Sequence, residues 1–192
     1  MFKLKLPTDP RWVNIAERNI SEILTDHAYC EQKAASNAIS IIIKYPEKSE
    51  MVTALLDVAM EELSHFRMVH QKLLDRGLEL GKERKDEYVN LLYDFIRRGG
   101  SREQQLTDRL FFAAMIEARS CERFKVLSEN ISDNELAAFY RDLMISEANH
   151  YTLFISFARK YSLEDADHRW EQWLTYEGEI ISRFGKKETM HG

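Results

Sequence analysis

Two short Glu-x-x-His motifs place a carboxylate and an imidazole one helical turn apart within apolar stretches. They are Glu62 with His65 and Glu147 with His150. Residues three apart lie on the same face of a helix, so each motif can offer one oxygen and one nitrogen ligand to a metal ion. A third match, Glu188 with His191, lies in a polar C-terminal stretch. We expect that third match to be a chance occurrence without a metal role.

Two further glutamates, Glu31 and Glu117, occupy the corresponding places on two other apolar stripes. Each stripe repeats every three or four residues, which is the spacing of one helix face. Glu31 lies 15 residues before Pro46 and Glu62 lies 16 after it, which puts both at one height of an antiparallel hairpin. The same counting around a second turn, near residue 131, puts Glu117 level with Glu147.

Glu122 is the competing choice for the fourth carboxylate, because its Cys-Glu context resembles that of Glu31. It lies five residues beyond Glu117 and would therefore be about 7.5 Å out of the plane of the other carboxylates. We expect Glu122 to form an ion pair at the surface or beside the ligands, and we prefer Glu117 as the ligand.

Four buried carboxylates need a compensating positive charge, because an unpaired buried carboxylate is costly and neighbouring carboxylates repel. No Lys or Arg lies at the centre of these stripes, so two divalent metal ions are the expected source. Oxygen and nitrogen ligands without thiolate favour iron or manganese, and we prefer iron. Cys30 and Cys121 are expected to be small core residues. His27 either supports Glu31 or has a capping or surface role.

Helical periodicity predicts the elements that position these residues. Long helices are expected over 10–45, with a second start near Thr25-Asp26 as an alternative, and over 49–80, 102–129 and 133–161. Gly81 is expected to stop the second of these, and a capping box of Ser132 with Glu135 to begin the fourth. Shorter helices are expected over 83–98 and 162–184, followed by a polar, frayed tail. Short, long and short connections are typical of a four-helix bundle with one crossover.

The composition restricts the functional classes further. The chain has 192 residues, of which 44% are hydrophobic and 31% charged, and this favours a single domain over 1–192 with a sizeable core. Its formal net charge of −5 does not favour nucleic-acid binding, although a local basic patch is still possible. The local candidates are Arg97, Arg98 and Arg102, with Lys44 and Lys48, and scattered solvated charges are the alternative. We expect a cytoplasmic protein without a disulfide framework, a secretion signal or a membrane span.

Five segments carry a resemblance to one family of proteins. They are LPTDPRWV at 6–13, DHAYCEQKAA at 26–35, EELSHF at 61–66, IEARSCERF at 116–124 and SEANHY at 146–151. With these segments the chain resembles the bacterial tRNA hydroxylases that act on 2-methylthio-N6-isopentenyl-adenosine (MiaE-like), which belong to the ferritin-like di-iron superfamily. The resemblance covers nearly the whole chain and includes all six ligand positions.

The resemblance implies an all-α, ferritin-like four-helix bundle with a helical crossover and extra terminal helices. It also implies a non-haem di-iron monooxygenase that uses O2 to hydroxylate the isopentenyl group of that nucleoside, next to the anticodon in tRNA. On this resemblance, Glu62 and Glu147 bridge two iron ions. Glu31 with His65 then completes one set of ligands, and Glu117 with His150 completes the other.

The implied partners are a tRNA anticodon loop and an external electron donor of the reductase or ferredoxin type, because the chain has no flavin, haem or iron–sulfur motif. Neither DNA nor a membrane is expected as a partner. Two other classes remain open from the residues themselves. One is a ferritin-like iron-handling protein, a ferroxidase or storage protein, which would need a large closed oligomer. The other is a di-iron oxidoreductase acting on peroxide or a small molecule.

Overall fold

The computed structural model describes residues 2–184 and residue 190, and within them the chain is all-helical, with no strand. The elements are a 3-10 helix at Pro10–Trp12, α1 (Val13–Arg18), α2 (Ile20–Lys44), α3 (Ser49–Leu74), α4 (Glu87–Asp94), α5 (Arg102–Asn130), α6 (Asn134–Tyr161) and α7 (Ala166–Phe184). Among these described residues, no helix combines the length and apolarity needed to cross a membrane.

The helices fall into two compact units. Among the described residues, the smaller unit contains 18–85 with Met190, and the larger contains 2–17 with 86–184. In the smaller unit, α2 and α3 pack as an antiparallel hairpin. In the larger unit, α5 and α6 form a second hairpin, against which α4 and α7 pack. The expectation of one domain over 1–192 stays a prediction.

The predicted second start near Thr25-Asp26 is wrong, because the helix is interrupted at Asn19 instead. Both predicted capping residues are buried inside α2, where they make tertiary contacts. The Thr25 hydroxyl accepts a hydrogen bond from the backbone N–H of Gly81 at 3.3 Å. The Asp26 carboxylate accepts one from the backbone N–H of Met190 at 2.7 Å. Thr25 and Asp26 resemble a helix start in sequence, but in the structure they accept hydrogen bonds from backbone groups far along the chain.

Helix α3 ends at Leu74, before the predicted stop at Gly81. Gly77 adopts a left-handed conformation with a φ of 66°, and its N–H donates to the carbonyl of Leu74 at 2.9 Å. The next N–H, of Leu78, reaches back to the carbonyl of Leu73 at 3.0 Å. These two bonds form a Schellman motif, which ends a helix at the first glycine able to adopt the left-handed state.

Helices α4 and α7 are both shorter than predicted. Asp86 caps α4 by accepting the backbone N–H of Val89 at 3.1 Å, so the preceding residues from 83 lie outside the helix. Helix α7 begins at Ala166 rather than at residue 162.

The expectation of a frayed tail is wrong at Met190, which is buried and hydrogen-bonded to Asp26. The predicted chance motif, Glu188 with His191, lies outside the described residues.

The cap of α6 is Asp133 rather than the predicted Ser132. The Asp133 carboxylate accepts the backbone N–H groups of Glu135 at 2.9 Å and of Leu136 at 3.0 Å. Ser132 instead donates its own backbone N–H to Glu17 at 2.6 Å. An aspartate one position later satisfies two free amides of the first turn and so displaces the predicted capping box.

This difference leads to a stability prediction. Replacing the cap in Asp133→Ala should lower the free energy of unfolding by about 1 kcal/mol, because two amides lose their acceptor. Ser132→Ala is the matched control and should change it by less than about 0.5 kcal/mol, as is usual for exposed positions. Urea unfolding of both variants measures the difference. A larger loss in Ser132→Ala would show that the serine is the cap.

Candidate metal centre

The smaller unit gathers three of the six predicted ligands, Glu31, Glu62 and His65. Apolar positions recur every four residues on α2, and Glu62 and His65 are three residues apart on α3. All three side chains therefore face the hairpin core, where each is at most 4% exposed. Their ligand atoms lie within 4.8 Å of one another. His65 Nδ1 is 3.4 Å from a Glu62 oxygen and 3.8 Å from a Glu31 oxygen.

Burial makes ionisation of the carboxylates in this triad costly. Burial, followed by the charge of Glu62, raises the pKa of Glu31 well above its usual value. Burial alone would lower the pKa of His65, but hydrogen bonds and charge from Glu31 and Glu62 outweigh it and raise that pKa to about 10. A protonated imidazole therefore supplies the positive charge that a metal ion would otherwise bring.

Two neighbours orient the triad. His27 is fully buried one turn before Glu31, and its Nε2 lies 2.6 Å from a Glu31 oxygen. The capping or surface role for His27 is therefore wrong, and the supporting role is the one that fits its position. The outer nitrogen of His65, Nε2, faces a Glu61 oxygen at 3.8 Å. Such outer contacts hold a ligand in its rotamer and tautomer.

The larger unit gathers the other three predicted ligands, Glu117, Glu147 and His150. Glu117 projects from α5, and the other two from α6. All three are buried, and their ligand atoms also lie within 4.8 Å of one another. Each hairpin thus carries two carboxylates and one imidazole on facing helices.

Of the two cysteines expected to be core residues, Cys121 is one and Cys30 is not fully buried. Cys121 is fully buried, and its thiol donates to the carbonyl of Met144 at 3.1 Å. Burial, with the charges of Glu147 and Glu122, raises the pKa of Cys121 to about 12. The group is therefore a thiol at neutral pH, as expected of a residue in the core. Cys30 is half-buried.

Glu122 forms the predicted ion pair, and of the two expected positions, at the surface or beside the ligands, the surface position is wrong. The side chain is buried and accepts the backbone N–H of Thr8 at 2.8 Å and its hydroxyl at 2.6 Å. Arg119 donates through Nη1, at 3.0 Å, to the same Glu122 oxygen that accepts the Thr8 hydroxyl. Glu122 thus fastens the N-terminal segment to α5.

Glu177 is a buried carboxylate that the sequence interpretation missed. It lies on the apolar stripe of α7 with Trp173 and Ile180, which is the same signal that identified the other glutamates. Arg119 donates to it through Nε at 2.9 Å and Nη2 at 2.5 Å, and the Tyr88 hydroxyl lies 3.3 Å away. A carboxylate on an apolar stripe therefore indicates a metal only where no buried cation accompanies it.

Two of the residues predicted to contact RNA, Arg97 and Arg98, are paired with carboxylates. The backbone N–H of Arg97 donates to Asp108 at 3.0 Å, and its guanidinium pairs with Glu164. Arg98 pairs with Asp94 at 2.9 Å. The charges of these two arginines are thus largely compensated. The remaining candidates stay predictions: Arg102, Lys44 and Lys48.

The sequence model of one protein family, described as tRNA-(MS[2]IO[6]A)-hydroxylase (MiaE), matches residues 2–192. The chain belongs to this family. A tRNA 2-(methylsulfanyl)-N(6)-isopentenyladenosine(37) hydroxylase from Pseudomonas putida is 37% identical to the chain over 164 residues, which is 85% of this chain and 78% of that protein. A protein of the same name from Salmonella typhimurium is 26% identical over 227 residues, with 93% of this chain and 83% of that protein covered.

A solved structure supports the fold class of this MiaE-family chain. It is Protein 43 with aldehyde deformylating oxygenase activity from Synechococcus, which matches with a TM-score of 0.90 and 33% identity. The match covers 98% of this chain and 95% of that one. The predicted all-α, ferritin-like fold is therefore confirmed.

The roles of Glu117 and Glu122 can be separated by changing each to glutamine. Glu117→Gln removes an anionic group from the buried triad, so we expect the metal content to fall from about two ions per chain towards one. Glu122→Gln should keep the metal but lower the free energy of unfolding by about 1–3 kcal/mol, because Arg119 and Thr8 lose a charged acceptor. Metal analysis and urea unfolding test both variants. Metal loss confined to Glu122→Gln would show that the fourth carboxylate is misassigned.

The stability of protein stripped with a chelator should depend on pH through His65. A group whose pKa is higher in the folded than in the unfolded chain stabilises the fold below its unfolded pKa, and that stabilisation is lost as pH rises through the folded pKa. For His65 this window runs from 6.5 to about 10.

The free energy of unfolding of the stripped protein should therefore fall across this window, and less so in His65→Gln. Added metal should reverse the trend, because ligation requires deprotonated groups. Urea unfolding at a series of pH values, with and without metal, measures both slopes. A slope in His65→Gln equal to that of the parent protein would contradict the assignment.

Proposed function

We propose that this MiaE-family protein is an O2-dependent di-iron monooxygenase that hydroxylates the isopentenyl group of 2-methylthio-N6-isopentenyl-adenosine, next to the anticodon in tRNA. The observation that carries the proposal is the buried Glu–Glu–His triad, present once on each long hairpin of a chain from this family. Carboxylate oxygens and imidazole nitrogens, with the nearby Cys121 held as a thiol, are a donor set that suits ferrous iron.

Six side chains are proposed to hold two iron ions: Glu31, Glu62, His65, Glu117, Glu147 and His150. Their four carboxylates carry four negative charges, which two divalent ions would balance. That Glu62 and Glu147 are the shared ligands stays an expectation from the family. A bound iron pair would supply the activation of dioxygen that hydroxylation of an unactivated C–H bond requires.

The surrounding residues orient the ligands and keep water away from them. His27 holds one oxygen of Glu31, which leaves the other oxygen directed to the triad. In the larger unit, the rings of Phe124 and Tyr140 pack 5.4 Å apart, two turns from Glu117 and Glu147 along their helices. A dry, apolar surrounding strengthens every electrostatic contact inside it.

The proposal includes a separate source of two electrons per turnover, of the reductase or ferredoxin type. It also places the protein in the cytoplasm, because its proposed substrate is tRNA. The target nucleotide lies in a single-stranded loop, so it can be turned out of the stack without opening a duplex.

Mass spectrometry of nucleosides tests the function directly. Iron-loaded protein, a reductant system, O2 and tRNA bearing the isopentenylated nucleoside should yield that nucleoside with the mass of one added oxygen. Glu62→Gln is the matched inactive control. An unchanged nucleoside, with full iron loading and a competent reductant, would show that the proposed substrate is wrong.

A second candidate is a di-iron oxidoreductase acting on a small molecule. The observation that favours it is the likeness to Protein 43, whose name includes aldehyde deformylating oxygenase activity. The same iron-loaded protein incubated with a medium-chain aldehyde would then release formate while leaving the tRNA nucleoside unchanged. Light scattering separates both enzyme candidates from iron storage, which requires a large closed assembly.

A further inference from the structure

One flank of α3 carries four contiguous side chains, Leu63, Phe66, Arg67 and His70, at the spacing i, i+3, i+4 and i+7. Residues at this spacing are neighbours on a helix surface. We call these four residues the α3 flank. Leu63 is 50% exposed, Arg67 is exposed, and the two rings are half-buried. The α3 flank adjoins the candidate ligands along the chain, because Phe66 directly follows His65.

The two rings of the α3 flank are held in a nearly parallel arrangement. The centroids of Phe66 and His70 are 6.4 Å apart, and their planes differ by 16°. Half-exposed, parallel aromatic faces are the usual platform for unpaired bases, since every base has a face that can stack. The Phe66–His70 pair therefore offers ring faces on which a flat, aromatic ligand can stack.

The sequence that runs from these rings to residue 85 is basic, although the whole chain is negative. From residue 66 to residue 85 there are six basic residues, Arg67, Lys72, Arg76, Lys82, Arg84 and Lys85, and three acidic ones, Asp75, Glu79 and Glu83. The chain as a whole carries −5. Arg84 is paired with Glu22 at 2.5 Å. Within the described part of the chain, Arg67 has no carboxylate partner.

We propose that the α3 flank binds unpaired nucleotides of the RNA substrate: a base stacks on Phe66 and His70, and a phosphate pairs with Arg67. This proposal rests on the proposed tRNA function and adds to it the place of RNA contact. The α3 flank favours RNA over a protein partner because its stacked rings adjoin an uncompensated arginine in a locally positive segment. Arg97 and Arg98, by contrast, face carboxylates.

The test measures RNA binding rather than turnover. Iron-loaded, full-length protein is titrated under anaerobic conditions into a fluorescent anticodon stem-loop RNA, and anisotropy is followed at several salt concentrations. The variants are Arg67→Ala, His70→Ala and Phe66→Leu. The matched control is Arg159→Ala, which removes an arginine that Asp167 already pairs at 2.7 Å. Iron content is measured for each variant. If Phe66→Leu loses iron, the result for Arg67→Ala decides the test, because Arg67 is exposed.

We expect Arg67→Ala to weaken binding and to reduce the slope of log K against log salt by about 0.7, the value for one phosphate contact on a single strand. His70→Ala and Phe66→Leu should weaken binding about fivefold or more without changing the slope, as the loss of a stacked base does. Arg159→Ala should bind as the parent protein does.

Three results would overturn the proposal, and they are distinguishable from one another. If the parent protein binds and hydroxylates RNA while all three variants bind equally well and need no more of the electron donor, the α3 flank is not the contact and the proposed function stands. If the variants bind RNA normally but need more of the electron donor, the α3 flank is a protein-docking surface. If the parent protein neither binds nor modifies the RNA, the proposed function falls together with this inference.

Discussion

The burial of glutamates at the centres of the long hairpins is the constraint on which the rest of this protein depends. Burial, followed by the charge of Glu62, raises the pKa of Glu31, and hydrogen bonds and charge from Glu31 and Glu62 raise the pKa of His65. Glu177, buried on a different helix, shows the other solution, since Arg119 neutralises it within the fold. In the proposed function, divalent metal ions compensate the charge of the four glutamates at the centres of the long hairpins.

Buried ion pairs in the larger unit hold the N-terminal segment and α7 to α5. Arg169 donates to Asp108 through Nε at 2.8 Å and through Nη2 at 2.7 Å, which is a bidentate pair. Arg119 contacts both Glu122 and Glu177 and so connects α5 with the N-terminal segment and α7. Removing one partner of such a pair would leave a buried charge uncompensated, so these contacts fix positions that apolar packing alone would leave adjustable.

This chain belongs to the MiaE family and is also similar in structure to a protein with aldehyde deformylating oxygenase activity. A shared fold can serve different substrates, because function resides in the residues of the site. The distinguishing features of this chain are therefore expected on its surface. The α3 flank is one such feature, since it adjoins His65 and presents rings and positive charge to solvent.

The sequence by itself determined the helical class, the long hairpins and the six side chains that the two triads bring together. Apolar periodicity and buried glutamates carry that information locally. Tertiary structure decided the rest: Ser132 binds Glu17 while Asp133 caps α6, Thr25 and Asp26 bind distant backbone groups, and Glu122 is buried against Thr8. These alternatives differ by about 1 kcal/mol or less in local preference. A distant partner is enough to choose between them, and single-helix patterns do not reveal which distant residues will meet.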